Sequence, residues 1–132
     1  MVKIYVARHG QDADNANGIL NGHRNEPLTD LGRQQAKDVA AKMFDAGFRF
    51  STLSTSTSSH TIQAIYCSPL QRTLHTARIF ADILKDGTND ETNVEFIHSD
   101  NATSTSAALI LDDLIERDFG IMAGLPTSCI PA

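Results

Sequence analysis

The chain contains few cysteines and no long hydrophobic run. Two cysteines in 132 residues are too few for a disulfide framework, so we expect both to be free thiols. No apolar run approaches the roughly 18 residues that a membrane span needs. Residues 1–8 are too short and acquire charge too early for a signal peptide. These absences argue against a disulfide scaffold and a membrane partner, and they predict a cytoplasmic protein.

Positive charge is also scarce. Eleven Lys and Arg residues against sixteen Asp and Glu residues give a formal net charge of −5 at pH 7. Broad nucleic-acid binding needs a basic face, so nucleic acid is excluded as a partner. The hydrophobic share of 41% and the charged share of 20% are typical of one globular domain. Any binding site for an anion must therefore be built locally.

Three segments have the composition of β-strands. Residues 2–7 are β-branched and aromatic and end at a polar turn, which predicts a buried strand. Residues 62–67 and 94–98 predict two further strands. Residues 109–120 are compatible with a short helix or with irregular structure.

Two helices are predicted between these strands. The first runs from Asp30 to about Ala46, with Thr29 as its N-cap and Gly47 past its end. The second begins at Ser68-Pro69, because proline is favoured in the first helical turn. Its apolar residues recur at helical spacing, at Leu70, Leu74, Ala77, Ala81 and Leu84. Strands that alternate with helices predict an α/β fold with a mostly parallel sheet flanked by helices.

Two polar segments interrupt this pattern. Residues 11–27 are rich in Asn, Asp and Gly, and a loop of this length is usually functional. Residues 51–61 are nearly all hydroxyl-bearing and have too little apolar surface to fold alone. We expect residues 51–61 to be a surface insertion in a single domain that spans residues 1–132. A further hypothesis is that the Ser/Thr-rich segments bind a partner.

Basic residues follow the ends of two predicted strands. Arg8 and His9 come after the first strand, and Arg72 lies near the start of the helix that follows the second. Ligands bind at the carboxyl ends of parallel strands, and a helix N-terminus favours an anion. Guanidinium groups match phosphate oxygens, and a histidine beside them can act as nucleophile or base. The residues alone therefore predict a phosphate site.

Three motifs occur in the order found in one known family. The first comprises Arg8-His9-Gly10-Gln11, Asn15, Leu20-Asn21-Gly22-His23 and residues 27–36. The second is residues 66–77, which include Arg72, and the third is residues 114–120, which include Glu116. Together they resemble the histidine phosphatase superfamily, in its phosphoglycerate mutase-like branch. The resemblance implies the three-layer α/β fold of that branch, incomplete at its C-terminal part.

The resemblance also implies a two-step phosphoryl transfer. The imidazole of His9 would attack a phosphomonoester and form a phosphohistidine that water resolves. Glu116 would protonate the leaving oxygen and later activate water. The implied site residues are His9 and Glu116 for catalysis, Arg8, Asn15 and Arg72 for phosphate, and Asn21, Gly22 and His23 for substrate. No cofactor is implied, and no histidine spacing resembles a zinc signature.

The family pattern extends beyond this sequence. Relatives place a second histidine in the phosphate pocket after the acid, whereas no histidine follows His98 here. The resemblance covers about the N-terminal two-thirds of the family domain. A parallel sheet that lacks a strand exposes an edge. We therefore expect either a homodimer that covers this edge or a fragment that is only marginally stable.

The expected function is hydrolysis of small phosphomonoesters, of the sugar-phosphate or glycolytic class. Two alternatives stay open. One is a catalytically weakened protein that binds phosphate esters or regulates, because the second histidine is missing. The other is a phosphotransferase of the phosphoglycerate mutase type.

Overall fold

Three α-helices, five short strands and four single-turn 3₁₀ helices are present in the described part of the chain. The computed structural model describes residues 1–51, 60–85, 94–103, 107–116, 118 and 120–129. The helices are α1 (Ala13–Ala16), α2 (Asp30–Asp45) and α3 (Gln71–Leu84). The strands are β1 (Arg49–Phe50), β2 (Thr61–Ile62), β3 (Ile65–Cys67), β4 (Ile97–His98) and β5 (Ala108–Ile110). Most of the expected insertion at residues 51–61 lies outside the described residues.

The strands form two parallel sheets. β1 pairs with β2, and a three-stranded sheet has the order β3-β5-β4. β5 lies at its centre, with Ala108 opposite Ile65 and Leu109 opposite Ile97. Parallel strands need helical crossovers, and α3 supplies one that packs against β3 and α2. The predicted α/β fold with parallel strands and flanking helices is confirmed.

The first predicted helix is confirmed almost residue for residue. Thr29 caps α2, and its hydroxyl accepts the N–H of Gly32 at 3.0 Å. Ala36 and Ala40 form the buried face, as their helical spacing predicts. Gly47 follows the helix with φ of 90°, a left-handed conformation that glycine adopts without strain.

The second predicted helix begins later than expected, at Gln71 instead of Ser68. The Ser68 hydroxyl lies 2.6 Å from the Thr73 hydroxyl. Leu70 is the N-cap in an extended conformation, so residues 68–70 form a turn that precedes α3. The core stripe holds nonetheless, because Ala77, Ala81 and Leu84 belong to the main hydrophobic cluster.

The prediction of a buried strand at residues 2–7 is wrong. These residues form no strand, and Val2, Ile4 and Val6 are 87%, 82% and 92% exposed. An apolar segment becomes a strand only where a neighbour pairs with its backbone, and no described strand pairs with this one. Within it, the Tyr5 ring meets the Phe48 ring edge to face, with centroids 5.1 Å apart.

The other strand predictions are correct only in part. The strand predicted at 62–67 is divided into β2 and β3, which belong to different sheets. The strand predicted at 94–98 is confined to β4. β5 was not predicted, although it is the central strand of its sheet, because its three residues lie in a short apolar run that fits a helix equally well.

Within the described residues, no helix is long and apolar enough to cross a membrane.

Candidate active site

Residues 9–11 are held between α2 and α3. The N–H of Gly10 donates to the Thr76 hydroxyl of α3 at 3.2 Å. On the opposite side, the N–H of Thr29 donates to the Gln11 carbonyl at 3.0 Å. The loop that carries His9 is therefore tied to the first turn of one helix and to the middle of the other.

Two glycines allow the loop to approach α2 closely. A Cβ atom at Gly10 would overlap the Gly32 carbonyl oxygen, and a Cβ atom at Gly32 would overlap the Gln11 carbonyl oxygen. Backbone meets backbone at this contact, so no side chain can move aside. The two glycines set the position of His9 relative to α2.

The His9 ring has a defined proton arrangement. Its Nδ1 atom lies 2.7 Å from the Gly10 carbonyl oxygen. A carbonyl oxygen can only accept, so Nδ1 carries the proton of this hydrogen bond. In the neutral ring, Nε2 then has the free lone pair. This is the nitrogen that an attack on phosphorus needs.

A cavity of about 480 Å³ opens beside His9. Its lining residues are Arg8, His9, Gln11, Asn15, Gly18, Ile19, Gln35 and Thr127. Three of the predicted site residues, Arg8, His9 and Asn15, therefore share one cavity. The lining combines one guanidinium with amide, hydroxyl and imidazole groups, which suits a phosphate ester.

Arg72 lies outside this cavity lining, in a second cluster. Its guanidinium is fully buried, and Nη1 donates to the Arg24 carbonyl at 2.7 Å. Nη2 donates to the Gly22 carbonyl and to Glu116 Oε2, both at 2.7 Å. Arg8 and Arg72, which were predicted to converge on one phosphate, therefore do not line the same cavity, and protein oxygens occupy both terminal nitrogens of Arg72.

The remaining predicted residues gather around Arg72. Nε2 of His23 donates to the Glu116 carbonyl at 2.6 Å. The amide nitrogen of Asn21 donates to Asp12 Oδ2 at 2.5 Å. Asn21, Gly22 and His23 thus hold Arg72, Glu116 and their neighbours, and none of the three lines the His9 cavity.

The sequence analysis missed Asp12, which connects the two groups. Its side chain is fully buried, and Oδ1 accepts the backbone N–H of Asn15 at 2.7 Å as the N-cap of α1. Its Oδ2 atom accepts from Asn21 and lies 3.5 Å from Nε of Arg72. Asp12 stands three residues before Asn15, a capping pattern that could have identified it.

Arg24 was also missed. Its Nε atom donates to Asp14 Oδ2 at 2.7 Å, and Nη2 reaches Oδ1 at 3.3 Å. This hydrogen bond and the Asp14 charge raise the pKa of Arg24 above its ordinary value. A Cβ atom at Gly124 would lie 3.2 Å from Nη1 of Arg24. Arg24 therefore binds Asp14 of α1, and its guanidinium lies close to the turn at residue 124.

The described residues contain no group of three or more His, Cys, Asp and Glu side chains placed to hold a metal ion.

Comparison with known proteins identifies the family. The sequence model of the histidine phosphatase superfamily (branch 1) matches residues 4–96. This region includes Arg8, His9, Asn15 and Arg72, whereas Glu116 lies beyond it. The chain belongs to the histidine phosphatase superfamily.

One similar curated protein is the "Probable phosphoglycerate mutase GpmB" of Enterobacter sp. (strain 638). It is 37% identical over 82 residues, which are 62% of this chain and 32% of that protein. The chain spans less than half the length of the curated relatives it matches.

Two solved structures show the same fold. A phosphoserine phosphatase mutant from Entamoeba histolytica, in complex with phosphoserine, aligns with a TM-score of 0.58 and 22% identity. The alignment covers 94% of this chain and 44% of that one. A mycobacterial glucosyl-3-phosphoglycerate phosphatase with VO3 aligns with a TM-score of 0.59 and 20% identity, over 91% and 43% of the two chains.

Proposed function

We propose that the chain carries the nucleophile and phosphate-binding part of a phosphomonoester phosphatase that works through a phosphohistidine on His9. The observation that carries this proposal is the hydrogen bond of Nδ1 to the Gly10 carbonyl. In the neutral ring this hydrogen bond places the free lone pair on Nε2, beside a cavity that Arg8 and Asn15 also line. The family, whose relatives are named as phosphatases and phosphoglycerate mutases, supports the same chemistry.

The reaction has two balanced steps. The Nε2 lone pair forms a bond to phosphorus while the ester P–O bond breaks, and the alcohol leaves with a proton. Water then attacks phosphorus, the N–P bond breaks, and inorganic phosphate and neutral imidazole are released. Arg8 and Asn15 bind the phosphoryl oxygens and offset their charge in the transition state. The scheme requires no cofactor or metal.

Glu116 is the proposed proton donor to the leaving oxygen, and its carboxylate is bound to Nη2 of Arg72 at 2.7 Å. Arg72 can bind phosphate through the same nitrogen when a phosphate oxygen replaces Glu116. This exchange would free Glu116 from the ion pair, so that its carboxylate can take up a proton from water and pass that proton to the leaving oxygen. Asn21, Gly22 and His23 then affect substrate binding indirectly, because they hold Arg72, Glu116 and Asp12 in place.

The test is turnover of an aryl phosphate together with trapping of acid-labile phosphohistidine. We expect His9→Ala to abolish the phosphorylated protein and to reduce turnover at least about 10³-fold. His98→Ala is the matched control, because His98 is exposed on β4, away from the His9 cavity. If the wild-type chain forms no phosphohistidine, or if His9→Ala retains turnover, the proposal is wrong.

A phosphate-ester-binding or regulatory role is the second candidate. The observation that favours it is the occupied guanidinium of Arg72, which leaves Arg8 as the arginine that lines the cavity. Calorimetry would then detect ester binding that depends on Arg8, without turnover. A mutase-type transfer would be recognised by exchange of phosphate between positions of a phosphoglycerate.

A further inference from the structure

One wall of the His9 cavity comes from the last described segment of the chain. Residues 124–127 lie antiparallel to residues 18–20, with a bridge between Ile19 and Pro126. Three backbone hydrogen bonds fix the contact: Leu20 N–H to Leu125 O at 2.9 Å, Gly124 N–H to Leu20 O at 2.7 Å, and Thr127 N–H to Gly18 O at 2.7 Å. The Thr127 side chain is thereby held at the cavity beside Gly18.

A second wall comes from Gln35 on α2. Its Oε1 atom accepts the N–H of Gln11 at 2.9 Å, which fixes the orientation of the amide. The Nε2 group is then the part of Gln35 that remains to donate to a ligand. Gln11 is oriented in the same way, because its Oε1 atom accepts from the Thr29 hydroxyl at 2.9 Å.

The charges in the lining distinguish between kinds of ester. Among the described lining residues, Arg8 carries the permanent charge, and the others contribute amides, a hydroxyl, an imidazole and one apolar side chain. The negative charge of the phosphoryl group pairs with the positive charge of Arg8. A carboxylate on the organic part of the ester would lack a cationic partner among these residues, whereas hydroxyl groups would find amide and hydroxyl partners.

We infer that Gln35 and Thr127 determine substrate specificity by hydrogen bonding to hydroxyl groups of a phosphate ester whose organic part is uncharged and polyhydroxylated. This inference rests on the proposed function, which supplies the position of the phosphoryl group at Arg8 and His9. Gln35 lies within the first motif but is not among the site residues implied by the resemblance, and Thr127 lies outside the region that the family model matches.

Two nearly isosteric variants test this inference. Thr127→Val removes the hydroxyl and keeps the shape. Gln35→Glu keeps an oxygen for the Gln11 N–H and replaces the amide donor by an oxygen. The matched controls are Ser128→Ala and Gln34→Glu, which make comparable changes at neighbouring positions outside the lining.

The measurement is the Kd of glucose 6-phosphate, 3-phosphoglycerate and inorganic phosphate for each full-length variant, by calorimetry. We expect the wild-type chain to bind glucose 6-phosphate more tightly than 3-phosphoglycerate. Thr127→Val should weaken glucose 6-phosphate binding about tenfold. Gln35→Glu adds a charge that repels every phosphate, so it should weaken glucose 6-phosphate about tenfold more than it weakens inorganic phosphate. For Thr127→Val the Kd of inorganic phosphate should stay unchanged, and both controls should match the wild type.

The inference is overturned if Thr127→Val weakens phosphate and glucose 6-phosphate equally, if it affects neither, or if 3-phosphoglycerate binds more tightly than glucose 6-phosphate. The proposed function fails by a different result, the absence of phosphohistidine and turnover. Binding and phosphohistidine trapping therefore separate the two failures.

Discussion

Asp12 is a buried carboxylate that serves three partners at once. It caps α1 through the Asn15 N–H, accepts from Asn21 and faces the buried guanidinium of Arg72. A buried charge is tolerated only while its partners are present, and removal of one partner leaves the other uncompensated. The free energy of unfolding should therefore depend on the charge of Asp12.

Asp12→Asn keeps the size and the capping oxygen and removes the charge. We expect the free energy of unfolding, measured by urea titration, to fall by about 3 kcal/mol, because Arg72 loses a buried carboxylate partner. The loss should not be larger, because Arg72 keeps Glu116 as its second carboxylate. Asp30→Asn is the control, since its pair with Arg33 is exposed at the surface, and it should cost less than about 1 kcal/mol. Equal losses in the two variants would contradict this role of Asp12.

Cys67 is a buried thiol at the end of β3. Burial raises its pKa from 9.0 to about 11, and the positive charge of Arg78 opposes the shift. The thiolate is the reactive form. In a Cys129→Ser background, Cys67 should therefore react with iodoacetamide at pH 8 far more slowly than after unfolding in guanidinium chloride. Equal rates in the two states would show that the thiol is not protected.

The same pKa shift predicts a pH dependence of stability. The pKa of Cys67 is higher in the folded state than in the unfolded state. Burial of the neutral thiol therefore contributes fully to the free energy of unfolding below about pH 9, and this contribution is lost as the pH rises towards 11. Unfolding free energies of the chain and of Cys67→Ala should converge over this window. A constant difference from pH 8 to pH 11 would rule out the shift.

The sequence predicted which residues gather at the candidate site, but it did not predict how they are arranged. Arg8, His9 and Asn15 belong to one motif and lie in one cavity. Arg72 is bound by the carbonyls of Gly22 and Arg24, which approach it only when the long loop folds over α3. Contacts between distant segments of this kind leave no local signal in the sequence.

The contact between the His9 loop and α2 belongs to the scale of elements. Gly32 lies inside α2, where replacement by alanine normally stabilises a helix by about 1 kcal/mol. Here the new Cβ atom would overlap the backbone of Gln11. We expect Gly32→Ala to destabilise the protein by about 3 kcal/mol or more, measured by thermal or urea unfolding. A stabilised variant would show that the loop does not pack here.

Helices were predicted from the sequence better than strands, and the reason is physical. The capping hydroxyl of Thr29 and the spacing of Ala36 and Ala40 lie within α2 itself. A strand depends on a partner that is distant in sequence, so the apolar composition of residues 2–7 gave the wrong answer. β5 was missed for the same reason, since its pairing with β3 and β4 is what makes it a strand.

The exposed apolar segment at residues 2–6 is expected to favour self-association of the whole molecule. Its apolar side chains are open to solvent, and burying such a patch against a second copy is favourable. The homodimer expected from the sequence was argued from an exposed sheet edge, and this apolar segment is a second surface that favours association. The homodimer stays a prediction, which light scattering after size-exclusion chromatography can test over a range of concentrations. Ile4→Glu should shift the population towards monomer.

The control for the association experiment is Gln34→Glu, which adds the same charge at an exposed polar position of α2. It should leave the mass distribution unchanged. A wild-type chain that remains monomeric at all concentrations would contradict the prediction.

The contact between residues 18–20 and residues 124–127 joins distant parts of the chain. Closing so large a ring costs only slightly more entropy than closing a smaller one, so a few backbone hydrogen bonds can hold it. The amides of Leu20, Gly124 and Thr127 all donate within this contact. Their exchange with deuterium should therefore proceed together, and its rate would report how often one wall of the His9 cavity opens.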